Sequence, residues 1–323
     1  MDEYSMKTVG YIASHGGPFD LGDQAASSSY ERWREAKLRD YPADGGALMV
    51  EINDPGALGP AETGAIHSRL VKANMALYAV TGGGDGSPEK QKKWLIEICR
   101  VFGLSRLDAN LCSDSDGITH LKVDQSGSRG TYIPYTNRPI GWHTDGYYNS
   151  PDRTVRGLAL HCVRPAISGG ENRLMDHEIA YILLRDRDPA FIRTLSRGDA
   201  MTIPANEEEG PDAVRAEQSG PVFSVSPADG SLHMRYSARK RNIRWRDDCA
   251  TRDAVTALEE ILADPGVYGF RYRLSAGQGL ISNNALHDRS GFEDGKGPGR
   301  LIYRARYYDR VENSGPDTQF KYK

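Results

Sequence analysis

Trp142-His143-Thr144-Asp145-Gly146 and, 144 positions after the first histidine, Leu286-His287-Asp288-Arg289 are the two stretches whose reading decides the fold. In an extended strand residues i and i+2 point to the same side, so His143 and Asp145 enter one space together where a strand ends. A histidine from a distant segment would complete a set of two imidazoles and one carboxylate. Such a set covers one face of an octahedral metal and leaves three positions open. His287 is the candidate. With eight histidines and 44 acidic residues in 323, about one His-x-acid pair is expected by chance, so the pair alone does not establish a metal site. Asp145 as a turn acid bonded to backbone amides, and His287 as a loop histidine bonded to Asp288, both stay open at this level.

Around these segments the chain is organised in short strand-like runs separated by turns: 118–123, 132–135, 155–163 and 172–175, then 222–225, 232–236, 270–273, 279–282 and 301–308. Repeated short strands about one pair of histidines predict a mainly β fold with flanking helices, a double-stranded β-helix or jelly-roll barrel. Strands are also predicted at 47–52 and 76–80, and helices at 30–39, 61–74, 176 onward, 189–195 and 252–262. Ser87-Pro88, as N-cap and first helical residue, starts another that runs to about residue 102, with Trp94, Leu95, Ile98 and Val101 as its buried stripe. Residues 1–323 read as one domain, with 1–28 as an irregular N-terminal arm and about 174–264 as a partly helical insert between the two histidine segments.

Composition narrows the class. Lys and Arg number 41 against 44 Asp and Glu, a formal charge of -3 that gives no bulk electrostatic case for nucleic acid. Cys99, Cys112, Cys162 and Cys249 form no CxxC pair, which argues against a structural zinc site or a disulfide framework and fits a reducing cytoplasm. No apolar run approaches the roughly 18 residues of a membrane span, and the N-terminus lacks a signal-peptide apolar region. The expectation is a soluble, cytoplasmic chain without a membrane partner.

Arginine carries the third signal. In Gly299-Arg300-Leu301-Ile302-Tyr303-Arg304-Ala305-Arg306, alternation places Arg300, Arg304 and Arg306 on one strand face and Leu301, Tyr303 and Ala305 on the other. Such a face is either an exposed edge paired to acids or a pocket wall in which a guanidinium grips a carboxylate through two parallel hydrogen bonds. A second basic run, Arg235 to Arg246 with Tyr236 and Trp245, reads as a solvated face in preference to a lid or nucleic-acid strip. His161 and His177 lack a carboxylate at ligand spacing and read as structural.

The order His-x-Asp, Gly-Gly-Glu-Asn at 169–172, Asn-Asn-Ala-Leu-His-Asp-Arg, then Gly-Arg-Leu-Ile-Tyr-Arg resembles the taurine dioxygenase and clavaminate synthase-like superfamily of Fe(II)/2-oxoglutarate-dependent oxygenases over residues 47 to about 310. The resemblance implies iron ligation by His143, Asp145 and His287. It makes Arg300, 13 residues after His287, the 2-oxoglutarate arginine, and puts Arg304 where relatives carry a second arginine for substrate or co-substrate. Asn172 stands where relatives often carry threonine, so its amide would replace a hydroxyl at the co-substrate.

The implied reaction uses Fe(II), 2-oxoglutarate and dioxygen (O2), releases succinate and CO2, and hydroxylates an aliphatic C–H bond of a small molecule. The ligand Asp145 disfavours halogenation, while desaturation or loss of a heteroatom group stays open. The spare arginine charge points to an anionic or zwitterionic substrate, with Arg304, Arg244 and Tyr147 as candidate contacts; a homo-oligomer is left open. The competing readings are a cupin-like metal-dependent hydrolase or isomerase, which leaves Arg300 unexplained, and a non-catalytic small-molecule-binding barrel.

Overall fold

A computed structural model describes the chain apart from residues 1–16, 23, 110–114, 125–129, 131, 207–214, 240, 242 and 321–323. The N-terminal half begins with α1 (Gln24–Leu38), β1 (Met49–Ile52), α2 (Pro60–Ala73), β2 (Met75–Val80) and α3 (Pro88–Val101). The next strands are β3 (Thr119–Leu121), β4 (Ile140–His143), β5 (Gly157–Arg164), β6 (Ser168–Gly169) and β7 (Asn172–Met175). The insert holds α4 (His177–Arg187), α5 (Pro189–Leu195), β8 (Met201–Ile203), β9 (Gln218–Gly220), β10 (Phe223–Val225), β11 (Leu232–Met234), β12 (Arg244–Trp245) and α6 (Cys249–Ala263). The chain returns through β13 (Phe270–Tyr272), β14 (Gln278–Ser282), β15 (Leu286–Arg289), β16 (Phe292–Glu293) and β17 (Leu301–Tyr307).

Two sheets carry the jelly roll. The larger has the order β1-β2-β14-β5-β17-β3 and the smaller β13-β7-β15-β4. Alternation along β5 assigns its two faces. Leu158, Leu160 and Cys162 join Leu280 and Ile302 in a core shared with Leu174 and Phe270 of the smaller sheet. Ala159 and Val163 instead pack with Tyr303 and Ala305 against Ile66 and Leu70 of α2 and Leu95 and Ile98 of α3. A third cluster joins α4, α5 and α6 to Trp142, Met175 and Leu286 on the far side of the smaller sheet. The larger sheet is thus covered on both faces, and its inner face, which carries Ile302, is the one that meets the smaller sheet.

Local chemistry explains most elements and the departures from expectation. Helix α3 starts as predicted, with Ser87 Oγ accepting from the Lys90 amide at 3.3 Å. Its buried face runs through Gln91, Leu95, Ile98 and Cys99, whereas Val101 is 46% exposed and Trp94 only half-buried. The arm expected to be irregular to residue 28 is helical from Gln24, because the helix breakers Gly17 and Pro18 lie upstream. Trp33 on α1 is fully buried, with Phe19 at 4.8 Å and Tyr181 at 6.4 Å between ring centroids. Residues 1–16 of that arm lie outside the described residues. The strand predicted at 132–135 is a 3-10 turn (Ile133–Tyr135), as Pro134 has no N–H to give a ladder. Among the described residues no helix is long and apolar enough to cross a membrane.

Candidate metal centre

The segment around His287 is strand β15, lying between β7 and β4 with His287 directly opposite His143. Facing positions on one side of an antiparallel pair bring side chains together, and the two imidazole centroids are 4.2 Å apart. Asp145 follows where β4 ends. Gly146 next to it has φ +68°, and a Cβ there would come within 2.5 Å of Val155, so only glycine lets the chain turn at this point. One ligand atom from each of His143, Asp145 and His287 lies within 4.8 Å of the others.

The donor set fits a divalent metal such as Fe(II). His143 Nδ1 is 3.0 Å from the Gly141 carbonyl and His287 Nδ1 3.1 Å from that of Ala285. A carbonyl only accepts, so each Nδ1 carries the proton and each Nε2 keeps its lone pair for a metal. Burial, followed by the neighbouring His287, pushes the His143 imidazole down to about 3, which keeps it neutral at physiological pH. Asp145 Oδ1 accepts from Arg304 Nη1 at 3.2 Å, while among the described residues the buried Oδ2 has no hydrogen-bond partner. Burial alone would raise the Asp145 carboxyl, but Arg304, His287 and Arg306 together hold it below the usual carboxylate range. A buried ionised oxygen without a donor is costly unless a cation meets it.

Asn284 holds this acid in place. It sits at the end of the β14–β15 turn with φ 52°, a left-handed conformation that asparagine tolerates. Its Oδ1 accepts from the Asp145 N–H at 2.8 Å, and its Nδ2 donates to the carbonyls of Asp145 and Val155 at 2.9 and 2.8 Å. The turn-forming Asn283-Asn284 pair was the available sequence signal, but nothing in it named Asp145 as the partner.

The arginine face is divided. Arg304 and Arg306 share the inner face of β17, whose partner β5 is offset by a register shift at Leu301/Ile302. Arg306 is 2% exposed; it pairs with Asp108 and donates to the Tyr148 hydroxyl at 2.7 Å. The positive charge expected to be spare on this strand is therefore matched at Arg304 and Arg306 by Asp145 and Asp108. Arg300 differs: its backbone N–H takes Asp294 Oδ1 at 2.8 Å, while its guanidinium stacks 5.0 Å from the Phe292 centroid and joins no acid among the described residues. Gly169, at φ +68°, would put a Cβ 2.2 Å from the Gly291 carbonyl, which explains the close approach of the Gly-Gly segment to the strand carrying Phe292.

The other predicted contacts fare less well. Asn172 Nδ2 donates to the Asp288 carbonyl at 2.6 Å, so part of its amide is committed to the adjoining strand. Asp288 itself pairs with Arg173 at 2.6 Å, not with His287. Arg244 is spent at a solvent-facing edge on Glu217 at 2.7 Å, because a local acid reaches it first. Tyr147 follows the metal segment, but its carbonyl is what the structure uses, accepting from Arg235 at 2.7 Å. Arg235 likewise turns inward onto backbone carbonyls, including those of Met201 and Gln218.

Comparison with known proteins agrees with this geometry. Residues 86–306 match the family described as taurine catabolism dioxygenase TauD, TfdA. A uridine-5'-phosphate dioxygenase from a Streptomyces species is 32% identical over 205 residues, 60% of this chain and 71% of that protein. Its counterpart from an Amycolatopsis species is 29% identical over 174 residues, and the chain spans 60% of its length. Among solved structures, the non-haem iron oxygenase OrfP in complex with Fe, succinate and (3R,4R)-dihydroxy-L-Arg is similar in fold at TM-score 0.59 and 15% identity, over 88% of this chain and 92% of that one. A taurine dioxygenase from Burkholderia xenovorans is similar at TM-score 0.51 and 19% identity, over 81% and 86% of the two chains. The chain belongs to the TauD/TfdA family and is a non-haem Fe(II)/2-oxoglutarate-dependent dioxygenase.

Proposed function

We propose that His143, Asp145 and His287 hold the iron, that Arg300 receives the C5 carboxylate of 2-oxoglutarate, and that the primary substrate is a small phosphate-bearing molecule of the nucleoside 5'-monophosphate class. The observation that carries the first part is the buried, partnerless Asp145 Oδ2 converging with two histidine rings whose Nδ1 protons are already placed. Fe(II), with 2-oxoglutarate and O2, supplies the oxidation of a substrate C–H bond and the release of succinate and CO2.

The chain's part is positional and electrostatic. Arg304 occupies Asp145 Oδ1 and so directs the other oxygen alone toward the two imidazoles. Asn284 fixes the backbone on which that carboxylate rides. The substrate class is supported by the two uridine-5'-phosphate dioxygenase relatives. Residues 1–323 are taken as one oxygenase unit, with about 174–264 as an insert whose end returns to β4: the Thr144 amide donates to the Tyr236 carbonyl at 3.0 Å. Among the described residues Cys99 and Cys162 are buried and form no disulfide, which supports a reducing cytoplasm as its location.

The test is succinate formation by the wild type with uridine 5'-phosphate and with uridine. Stimulation by the phosphate ester alone is expected. Equal stimulation by uridine would overturn the anionic-substrate reading and leave the dioxygenase assignment intact.

A further inference from the structure

Arg289 is the least explained charge in the molecule. It lies two residues beyond His287 on β15 and is only 5% exposed. Among the described residues its guanidinium meets no carboxylate and its buried Nε no partner: Nη2 donates to the carbonyls of Thr136 and Arg138 at 2.8 and 2.5 Å, and Nη1 lies 3.4 Å from that of Pro134. The guanidinium carbon stands 4.9 Å from the centroid of Phe292, the ring that Arg300 approaches to 5.0 Å. Two buried arginines thus share one phenyl ring with no acid joined to either guanidinium among the described residues. On β17, by contrast, Arg304 and Arg306 each meet an aspartate.

A buried pair of like charges is stable only where an anion joins it. A single arginine suffices for one carboxylate, while two suit a ligand that remains dianionic in the site. The carbonyl fork on the 134–138 turn stops Arg289 from swinging to grip the ligand directly, so its influence runs through Phe292 and through space. We propose that Arg289 is a positioning residue of the co-substrate site, sharing the Phe292 ring with Arg300 so that the pocket selects a dianionic 2-oxo acid over a monoanionic one. The proposal rests on the assignment of Arg300 to the C5 carboxylate.

The experiment is anaerobic equilibrium titration of the full-length, Mn(II)-loaded protein with 2-oxoglutarate and with 2-oxopentanoate, which lacks the C5 carboxylate. In Arg289→Met, 2-oxoglutarate should weaken on the order of tenfold, the scale of one partly screened charge interaction, while 2-oxopentanoate stays within about twofold. Arg289→Lys, which keeps the charge and loses the fork, should recover most of the preference. Parallel weakening of both ligands in Arg289→Met would make Arg289 a structural pin of the 134–138 turn and overturn the proposal. So would an Arg289→Lys protein as indifferent to the C5 carboxylate as Arg289→Met, a comparison that holds even if the methionine variant folds poorly. Arg300→Met separates the two assignments. If it leaves the preference intact, the role of Arg300 is wrong; if it removes the preference while Arg289→Met does not, the role of Arg289 is wrong.

Discussion

The inner face of β17 and its surroundings hold two regions built from the same residue type and wired in opposite ways. Toward the metal segment, Arg304 and Arg306 are buried against Asp145 and Asp108, and the second pair is braced further by Tyr148. Toward the Gly169-Gly170 segment, Arg300 and Arg289 are equally buried but stack on Phe292 and donate to carbonyls or to nothing. A matched arginine is part of the frame: it sets the orientation and charge of a ligand residue. An unmatched one holds a place for an anion from outside. Residue identity and burial are shared by both regions, so only the partner distinguishes frame from receptor.

The sharpest way to break this comparison is to remove the acid on the matched side. Asp145→Ala should weaken Fe(II) binding by more than about a hundredfold, beyond the range for losing an outer hydrogen-bond partner, and abolish substrate-coupled succinate formation; because it also leaves the buried Arg304 without its acid, the melting temperature should fall. Near-normal iron binding in this variant would show that the acid serves Arg304 and not a metal. On the unmatched side, Arg300→Leu should raise the 2-oxoglutarate concentration needed for half-saturation by roughly ten- to a hundredfold, the value of a lost charge-assisted pair, with iron affinity little altered. If Arg304→Leu produces that shift and Arg300→Leu does not, the frame and receptor roles must be exchanged.

A smaller effect tests the frame through its backbone. Asn284→Ala leaves the Asp145 amide and two carbonyls without their partner, so it should cost about 1–3 kcal/mol of stability and roughly tenfold in metal affinity. Loss of stability with unchanged metal affinity would reduce Asn284 to a structural brace. The last test is pH-dependent stability of the metal-free protein. Burial pulls His143 and His233 down to about 3 and His161 to about 4, so each ring stays neutral in the fold while the unfolded chain protonates near 6.5. The unfolded state then binds more protons below that point. Stability should fall as pH drops from 6.5 toward 4, by no more than about 1.4 kcal/mol per ring for each pH unit, and a melting temperature that rises on acidification would contradict these neutral rings.

Much of the site was legible because it depends on short-range periodicity. The i, i+2 spacing of His143 and Asp145 and the alternation of Arg304 with Tyr303 and Ala305 survive folding unchanged. Where the reading failed, the deciding contact came from elsewhere in the chain. Arg244 was weighed as a substrate contact without knowledge of Glu217, 27 residues away, and Arg306 without Asp108, 198 residues away. A loop histidine bonded to Asp288 stayed open at His287 because Asn283 and Asn284 signal a turn; the strand begins immediately after it, held by β7 and β4.

The sequence by itself determined the donor types, their spacing, the strand face that carries the arginines and the family to which the chain belongs, since these follow from side-chain chemistry and the two-residue period of a strand. Tertiary structure alone decided which arginines have an acid and which do not, that Asn284 clamps Asp145, and that Arg289 and Arg300 share Phe292. The physical reason is that alternation specifies the side to which a residue points but not what stands opposite, and for a buried charge the group opposite decides whether it is part of the frame or a binding site.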